Sequence, residues 1–216
     1  VGATGFLPRT TPEECLVDNA AAHLLHTVGT RVPLSRTFHR VAKANGVSLP
    51  QGLFAGLTAD LNLIASAPHL LPRWLEMPDG HQVVGPVYAN LPGEVPEFVT
   101  DLAAGPKPLV YFAVGSSGNR ELVLDVLRGL GRADCQVLAP VRSHLHQEDL
   151  ETLPLNIHVT DWIPTHQLGD AVDLAITHGG EGTVQTSCVQ GWPFIGIPLQ
   201  LEQRFNVQRC VAFGSA

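Results

Sequence analysis

A glycine-rich turn, residues 178–183 with the sequence HGGEGT, joins an apolar run to a helix-like run. Glycine lets the backbone approach a ligand closely, and the free N–H groups and dipole of a helix start attract an anion. Thr183 adds a hydroxyl donor and His178 a ring N–H. The turn therefore predicts a diphosphate site that includes the backbone of Gly180 and Gly182. In the alternative interpretation the glycines only form a tight turn, and His178 lies at the surface or caps it.

An acid and an amide, Glu202 and Gln203, follow the next apolar run, which has the sequence PFIGIP. A carboxylate accepts hydrogen bonds and an amide both accepts and donates them, so this pair can bind several hydroxyl groups of a sugar. Ordinary helix chemistry is the alternative, because acidic residues also stabilise the first turn of a helix.

Two further strand ends carry residues suited to a nucleotide. Trp162 stands just past a strand in a polar loop, where its ring could stack on a nucleobase while the backbone of Ile163 binds the edge of the base. The alternative is a tryptophan that packs over the sheet edge. Ser116 and Ser117 follow another strand, and they either bind phosphate or cap the next helix.

The elements that must position these residues are strand-like and helix-like runs, which alternate along the chain after Pro108. Strand-like runs are PLVYFAVG, CQVLAPV, NIHVT, VDLAITH and PFIGIP, and most of them are followed by runs with helical spacing. This order predicts an α/β fold with a doubly wound, Rossmann-like parallel sheet covered by helices on both faces. Ligands of such sheets bind beyond the carboxyl ends of the strands, which is where all the residues above fall.

The chain before this region is mixed. Helical spacing occurs in PEECLVDNAAAHLLHTVG and PLSRTFHRVAKANGV, and short strands are predicted around residues 61–65 and in HQVVGPVYANLPG. The segment from Asn90 to Pro108 contains four prolines and two glycines, as an interdomain linker does. We therefore predict a partial domain over 1–89, a linker over 90–107 and a donor-binding domain over 108–216.

Composition excludes several classes of protein. With 44% apolar and 15% charged residues the chain is globular, and its net charge of −7 argues against nucleic acid as a partner. The four cysteines form no C-x-x-C pair, which favours reduced thiols in the cytoplasm. No apolar run is long enough to span a membrane. His144 and His146 lack the spacing and the further ligands of a metal site. The absence of a signal peptide or an initiator methionine suggests a start inside a longer protein.

The order of these motifs resembles the donor-binding signature of GT-B nucleotide-sugar glycosyltransferases, in the family of the UDP-glycosyltransferases and the bacterial macrolide and natural-product glycosyltransferases. That signature runs W-x-P, H-x-G-x-x-[ST], G-x-P and P-x-x-x-[DE]-Q-x-x-N. The matching segments, all at agreeing spacings, are Trp162-Ile163-Pro164, His178 through Thr183, Gly191-Trp192-Pro193, and Pro198 with Glu202-Gln203 and Asn206. The resemblance extends from about Leu61 to the last residue and implies a GT-B fold.

The resemblance also implies roles for individual residues. It implies that Trp162 stacks on the donor base. It implies that the residues holding the diphosphate are His178, Gly182 and Thr183, with help from Ser116 or Ser117, and that the sugar hydroxyls contact Glu202 and Gln203. Thr186 stands where many members have a glutamate for the ribose hydroxyls, and Thr165 where many have a glutamine, so the identity of the base and the sugar is left open.

The activity implied by the resemblance is transfer of a sugar from a UDP- or dTDP-sugar to a small hydroxylated acceptor, with inversion and without a metal or other cofactor. We expect a cytoplasmic enzyme. The family's catalytic base is a histidine near the N-terminus of its first half, and none of the ten histidines here matches that position. Two alternatives are another GT-B enzyme, such as a sugar-nucleotide epimerase, and a non-catalytic module that binds nucleotide sugars.

Overall fold

The computed structural model describes residues 20, 23–24, 27–49, 52, 59–71, 76–88 and 92–216. Contacts divide the chain into two compact units with a boundary between Gly85 and Pro86. The helix predicted in PEECLVDNAAAHLLHTVG lies largely outside the described residues. None of the helices in the described part is long and apolar enough to cross a membrane.

Among its described residues the first unit has a capped helix and a pair of short parallel strands. Helix α1 (Arg36–Ala44) begins after Ser35, whose hydroxyl accepts a hydrogen bond from the backbone N–H of Phe38 at 3.4 Å. Gly46, with φ +68°, follows its last turn. Strand β1 (Asn62–Ile64) pairs in parallel with β2 (His81–Val83). These elements confirm the second predicted helix and both predicted strands.

The second unit is an open sheet of five parallel strands in the order β5-β4-β3-β6-β7. Its strands are β3 (Leu109–Ala113), β4 (Gln136–Ala139), β5 (Ile157–Val159), β6 (Leu174–Thr177) and β7 (Phe194–Gly196). Its helices are α2 (Glu97–Ala103), α3 (Arg120–Leu130), α4 (Gln147–Leu150), α5 (Glu181–Gln190) and α6 (Leu201–Phe213). Short 3-10 turns occupy Gly115–Ser117, Arg142–His144, Thr165–Gln167 and Gly169–Ala171. The predicted parallel α/β sheet is confirmed.

The central strand β3 is buried along its whole length. On one face Val110 and Phe112 belong to a core that also contains Val123 and Leu127 of α3. On the other face the ring of Tyr111 lies 5.7 Å from that of Trp192. Because both faces are covered, every side chain of β3 can be apolar, which explains why its sequence shows no alternation.

The described part of the predicted linker packs against the second unit. Val99 of α2 is buried, and the ring of Phe98 lies 6.1 Å from that of His158 on β5. Gln167 donates a hydrogen bond from Nε2 to the carbonyl of Gly93 at 3.0 Å. The assignment of 1–89 to an acceptor-side domain and of 108–216 to a donor-binding domain stays a prediction.

Candidate ligand-binding site

The carboxyl ends of the five strands form one edge of the sheet. The direction in which successive strands are added to the sheet reverses between β5 and β6. From β3 the chain moves outward through β4 to β5, and it then crosses to β6 and β7 on the other side of β3. The loops after β3 and β6 therefore diverge, which opens a crevice between them. All the predicted site residues lie in the loops or first helical turns at this edge: Ser116, Ser117, Trp162, Ile163, His178, Gly180, Gly182, Thr183, Glu202 and Gln203.

His178 fits into this crevice because two of its neighbours lack side chains. Only 8% of its surface is exposed, so the alternative of a surface histidine is wrong. A Cβ on Gly115, which has φ +54°, would stand 2.8 Å from Cε1 of the ring. A Cβ on Gly180 would stand 2.4 Å from Nε2. Glycine at these two positions therefore leaves space for the imidazole ring, and it also leaves the backbone exposed.

The electrostatics of His178 follow from its burial. Desolvation lowers the pKa of the ring below its ordinary value, while the carbonyl of Ala113 and the carboxylate of Glu202 act in the opposite direction. Nδ1 is buried and has no hydrogen-bond partner of normal geometry among the described residues. An unpaired buried polar atom is unfavourable by about 1–3 kcal/mol. An anion near the ring would favour protonation and so act in the same direction as Ala113 and Glu202.

The start of α5 offers backbone donors next to this ring. The helix begins after Gly180, and no side chain caps it. The turn before it requires Gly179, with φ +81°, since a Cβ there would stand 2.8 Å from the carbonyl oxygen of Gln203. The hydroxyl of Thr183 donates back to the carbonyl of Gly180 at 3.2 Å. Gly182 has open space around its Cα.

The side chain of Gln203 forms hydrogen bonds with two loops of the site. Its side chain is almost entirely buried, with 3% exposed. Its Oε1 accepts the backbone N–H groups of Leu199 at 2.9 Å and Gln200 at 3.1 Å, and its Nε2 donates to Oγ of Ser117 at 3.0 Å. The contact of Gln203 with a sugar stays a prediction, and in this structure the amide holds the start of α6. Asn119, rather than a serine, caps α3.

Glu202 is exposed beside the turn that holds His178. Asn206 Nδ2 donates hydrogen bonds to Oε1 of Glu202 and to the carbonyl of Gly179, the second at 3.1 Å. The carboxylate thus stays at the mouth of the crevice, free to accept a hydroxyl hydrogen bond. The structure therefore brings Ser117, His178, Gly180, Thr183, Glu202 and Gln203 together around the start of α5.

A cleft of about 540 Å³ extends the site toward β5. It is lined by Gly115, Ser116, Pro140, Arg142, Ser143, His144, Asp161 and Trp162. Half of the surface of Trp162 (52%) is exposed, so the ring is not a buried packing residue, although one edge lies close to Gly93. Ile163 is buried, so its backbone can contribute to the cleft while its side chain anchors the loop.

Sequence reasoning missed four polar residues of this cleft: Arg142, Ser143, His144 and Asp161. Nε2 of His144 lies 2.8 Å from the carbonyl oxygen of Gly115, so the loop after β4 is tied to the loop after β3. The signal that could have found them is position, because each follows a predicted strand just as Trp162 does. The described residues contain no group of three side chains arranged to hold a metal ion.

Comparison with known proteins agrees with this geometry. The PGL/p-HBAD biosynthesis rhamnosyltransferase of Mycobacterium bovis (strain BCG / Pasteur 1173P2) is 32% identical over 149 residues, which cover 69% of this chain and 32% of that protein. The 4'-demethylrebeccamycin synthase of Lentzea aerocolonigenes is 31% identical over 180 residues, which cover 79% and 41%. The crystal structure of glycosyltransferase VinC in complex with dTDP superimposes with a TM-score of 0.60 at 18% identity, covering 91% and 49%. The chain thus spans only a third to a half of these proteins.

The sheet and the structural alignments confirm the predicted fold, an α/β chain of the GT-B type. Within it, residues 124–216 match the family described as erythromycin biosynthesis protein CIII-like, C-terminal domain. The relatives named above, to which the chain is similar over part of their length, include a rhamnosyltransferase and a structurally known glycosyltransferase.

Proposed function

We propose that the protein transfers a sugar from a UDP- or dTDP-sugar to a small hydroxylated acceptor, with inversion and without a metal or other cofactor. The observation that carries this proposal is the buried ring of His178, whose Nδ1 has no partner of normal geometry among the described residues, beside the uncapped start of α5. The names of the relatives support the same reaction, since they include a rhamnosyltransferase and a glycosyltransferase solved with dTDP.

Each group in the crevice suits one part of such a donor. The backbone N–H groups at the start of α5 and the ring of His178 suit the diphosphate. The exposed carboxylate of Glu202 suits a sugar hydroxyl at the mouth of the crevice. The open face of Trp162 suits a nucleobase, because stacking on an aromatic ring needs only one free face.

The chemistry that these groups would perform is stabilisation of a leaving group. Transfer breaks the bond between the anomeric carbon and the diphosphate oxygen, and negative charge grows on that oxygen. Donors held in place by the fold stabilise this charge, and a single well-placed donor contributes about 3 kcal/mol to such a step. Inversion follows if the acceptor oxygen attacks the anomeric carbon opposite the diphosphate. We place this reaction in the cytoplasm.

Titration calorimetry of His178→Gln tests the proposal. We expect the unchanged protein to bind UDP or dTDP and not free glucose, and the variant to bind the nucleotides about ten- to a hundred-and-fiftyfold more weakly, as for a lost hydrogen bond to a charged group. His158→Gln is the matched control, because it removes another partly buried histidine whose ring bonds to Gln136 on the neighbouring strand. If UDP, dTDP and glucose give equal heats of binding with the unchanged protein, or none, the proposed use of a nucleotide sugar is wrong.

A further inference from the structure

Two thiols lie against each other between the helices that begin at the crevice. Cys188 stands on α5 and Cys210 on α6, and the thiol of Cys210 donates a hydrogen bond to the sulfur of Cys188. Cys210 is buried, with 1% of its surface exposed, whereas Cys188 is exposed. The pair therefore combines a thiol that small molecules can reach with a second thiol directly behind it. The sugar transfer proposed above uses neither.

The contact between the thiols agrees with the way in which the two helices are anchored. Strands β6 and β7 are parallel neighbours, so the helices that follow them both run back from the same edge of the sheet. Near that edge their backbones are close, since a Cβ on Gly179 would stand 2.8 Å from the carbonyl oxygen of Gln203. Cys188 and Cys210 lie about 12 Å and about 10 Å further along the two helices, at a rise of about 1.5 Å per residue. They are therefore at a similar depth.

The surroundings give the two thiols different reactivity. The hydrogen bond from Cys210 lowers the pKa of the Cys188 thiol, and burial acts in the opposite direction. The thiolate is the reactive form of cysteine, and oxidants attack exposed thiols of lowered pKa. The pKa of Cys210 is raised by the same hydrogen bond, by burial and by the charge of Cys188, while Arg209 lowers it. Cys188 is therefore the thiol that reacts first.

We propose that Cys188 and Cys210 form a redox-sensitive modification site, at which hydrogen peroxide converts the two thiols reversibly into a disulfide between α5 and α6. In the first step the thiolate of Cys188 attacks one oxygen of the peroxide. An S–O bond forms, the O–O bond breaks, hydroxide leaves, and the sulfur is oxidised to a sulfenic acid. In the second step the sulfur of Cys210 attacks that of Cys188. The S–S bond forms, the S–O bond breaks, and the leaving hydroxide takes the proton of the Cys210 thiol to become water.

The first step prepares the second. Once Cys188 is a neutral sulfenic acid, its negative charge no longer opposes ionisation of Cys210, and Arg209 still favours it. The attack takes place within one molecule between sulfurs that are already in contact, which favours it over further oxidation by a second peroxide. The disulfide would join the two helices whose first turns carry the crevice. In a reducing compartment such a bond is transient, and a dithiol returns both cysteines to thiols.

Peptide mapping tests the proposal on folded protein that is treated with hydrogen peroxide, unfolded and alkylated with N-ethylmaleimide. We expect the unchanged protein, which has four cysteines, to lose two alkylatable thiols and to regain both after treatment with dithiothreitol. Trypsin should release two linked peptides, one spanning residues 143–204 and the other beginning at Cys210.

Three variants separate the roles of the thiols. In Cys210→Ser the oxidation should stop at the sulfenic acid of Cys188, which dimedone traps. In Cys188→Ser no disulfide should form, because the buried Cys210 is not reached first. Cys135→Ser is the matched control, since it removes another buried cysteine, just before β4, and should form the same disulfide as the unchanged protein.

Three results would overturn the inference. Four alkylatable thiols after peroxide treatment show that the pair does not react. A disulfide from Cys188 to Cys15 or Cys135 shows that Cys210 is not its partner. Formation of the linked peptides as rapidly in urea as in the folded protein shows that the fold does not bring the two thiols together. None of these measurements involves a nucleotide, so their outcome does not depend on the proposed function.

Discussion

The side chain of Gln203 joins the start of α6 to the loop after β3 through its 3.0 Å hydrogen bond to Oγ of Ser117. The same amide accepts two backbone N–H groups at the start of α6. A residue expected at the sugar therefore also connects the loop after β3 with the loop after β7, and its variants will report on stability as well as on binding.

Replacing Gln203 by alanine should lower the free energy of unfolding of the ligand-free protein by about 1–2 kcal/mol, because the start of α6 loses its reciprocal cap. Ser117→Ala removes one hydrogen bond and should lower it by about 0.5–1.5 kcal/mol. The double variant should lose less than the sum, since both changes remove the same bond. Urea unfolding measures all three.

The control for that series is Val211→Ala, an exposed position further along α6. It should stay within about 0.5 kcal/mol of the unchanged protein. A fully stable Gln203→Ala protein with weakened binding of the nucleotide sugar, and unchanged binding of UDP, would show that the amide acts on the sugar alone.

A methyl group at Gly180 should displace the ring of His178 without breaking the turn. The φ of Gly180 is −61°, which alanine adopts readily, but its Cβ would stand 2.4 Å from Nε2. We expect Gly180→Ala to weaken UDP binding about tenfold or more, as for a lost charge-assisted contact, while the backbone of α5 stays intact. Calorimetry and far-UV circular dichroism measure the two quantities.

Gly129→Ala on α3 is the matched control for that change. No atom lies within 4 Å of the position of its added Cβ, and the site is helical, so the variant should gain up to about 1 kcal/mol of stability and bind UDP as before. If Gly180→Ala binds UDP as well as Gly129→Ala does, His178 does not need its present position for binding.

The sequence predicts the sheet well because its signal is local: each strand is a short apolar run, and most helix starts carry a glycine or a polar residue. It also places the site, because the carboxyl ends of parallel strands must share one edge. It does not predict that Gly115, far away in sequence, makes room for His178. Nor does it predict that Gln203 is buried, since the local sequence around an amide after a strand is the same whether its side chain contacts a ligand or a loop. Such outcomes depend on packing between elements, which no single segment encodes.

Trp162 should contribute to binding and hardly at all to folding, because half of its surface is exposed. Trp162→Ala should weaken UDP binding by about 1–3 kcal/mol, the range for stacking of a base on an aromatic ring, and Trp162→Phe should restore part of it. The midpoint of thermal unfolding should move little. A large drop in that midpoint, with unchanged UDP affinity, would identify Trp162 as a packing residue.

His178 should make the stability of the protein depend on pH in a known direction. Burial lowers the pKa of the ring below its ordinary 6.5, so the unfolded chain binds a proton more readily than the folded one. Stability therefore decreases as the pH falls through about 6.5, and the loss ends once the pH passes the lowered pKa of the folded state. Well above pH 6.5 both states are neutral, and the ring adds no pH dependence. His178→Gln should remove this part of the slope, which urea unfolding at pH values between about 5 and 8 will show.

Bound UDP should raise the pKa of the His178 ring, because its diphosphate favours the protonated form. The unchanged protein should therefore take up more protons on binding UDP than His178→Gln does. Calorimetry in buffers of different ionisation enthalpy measures that uptake. Equal uptake by both proteins would contradict contact between the ring and the diphosphate.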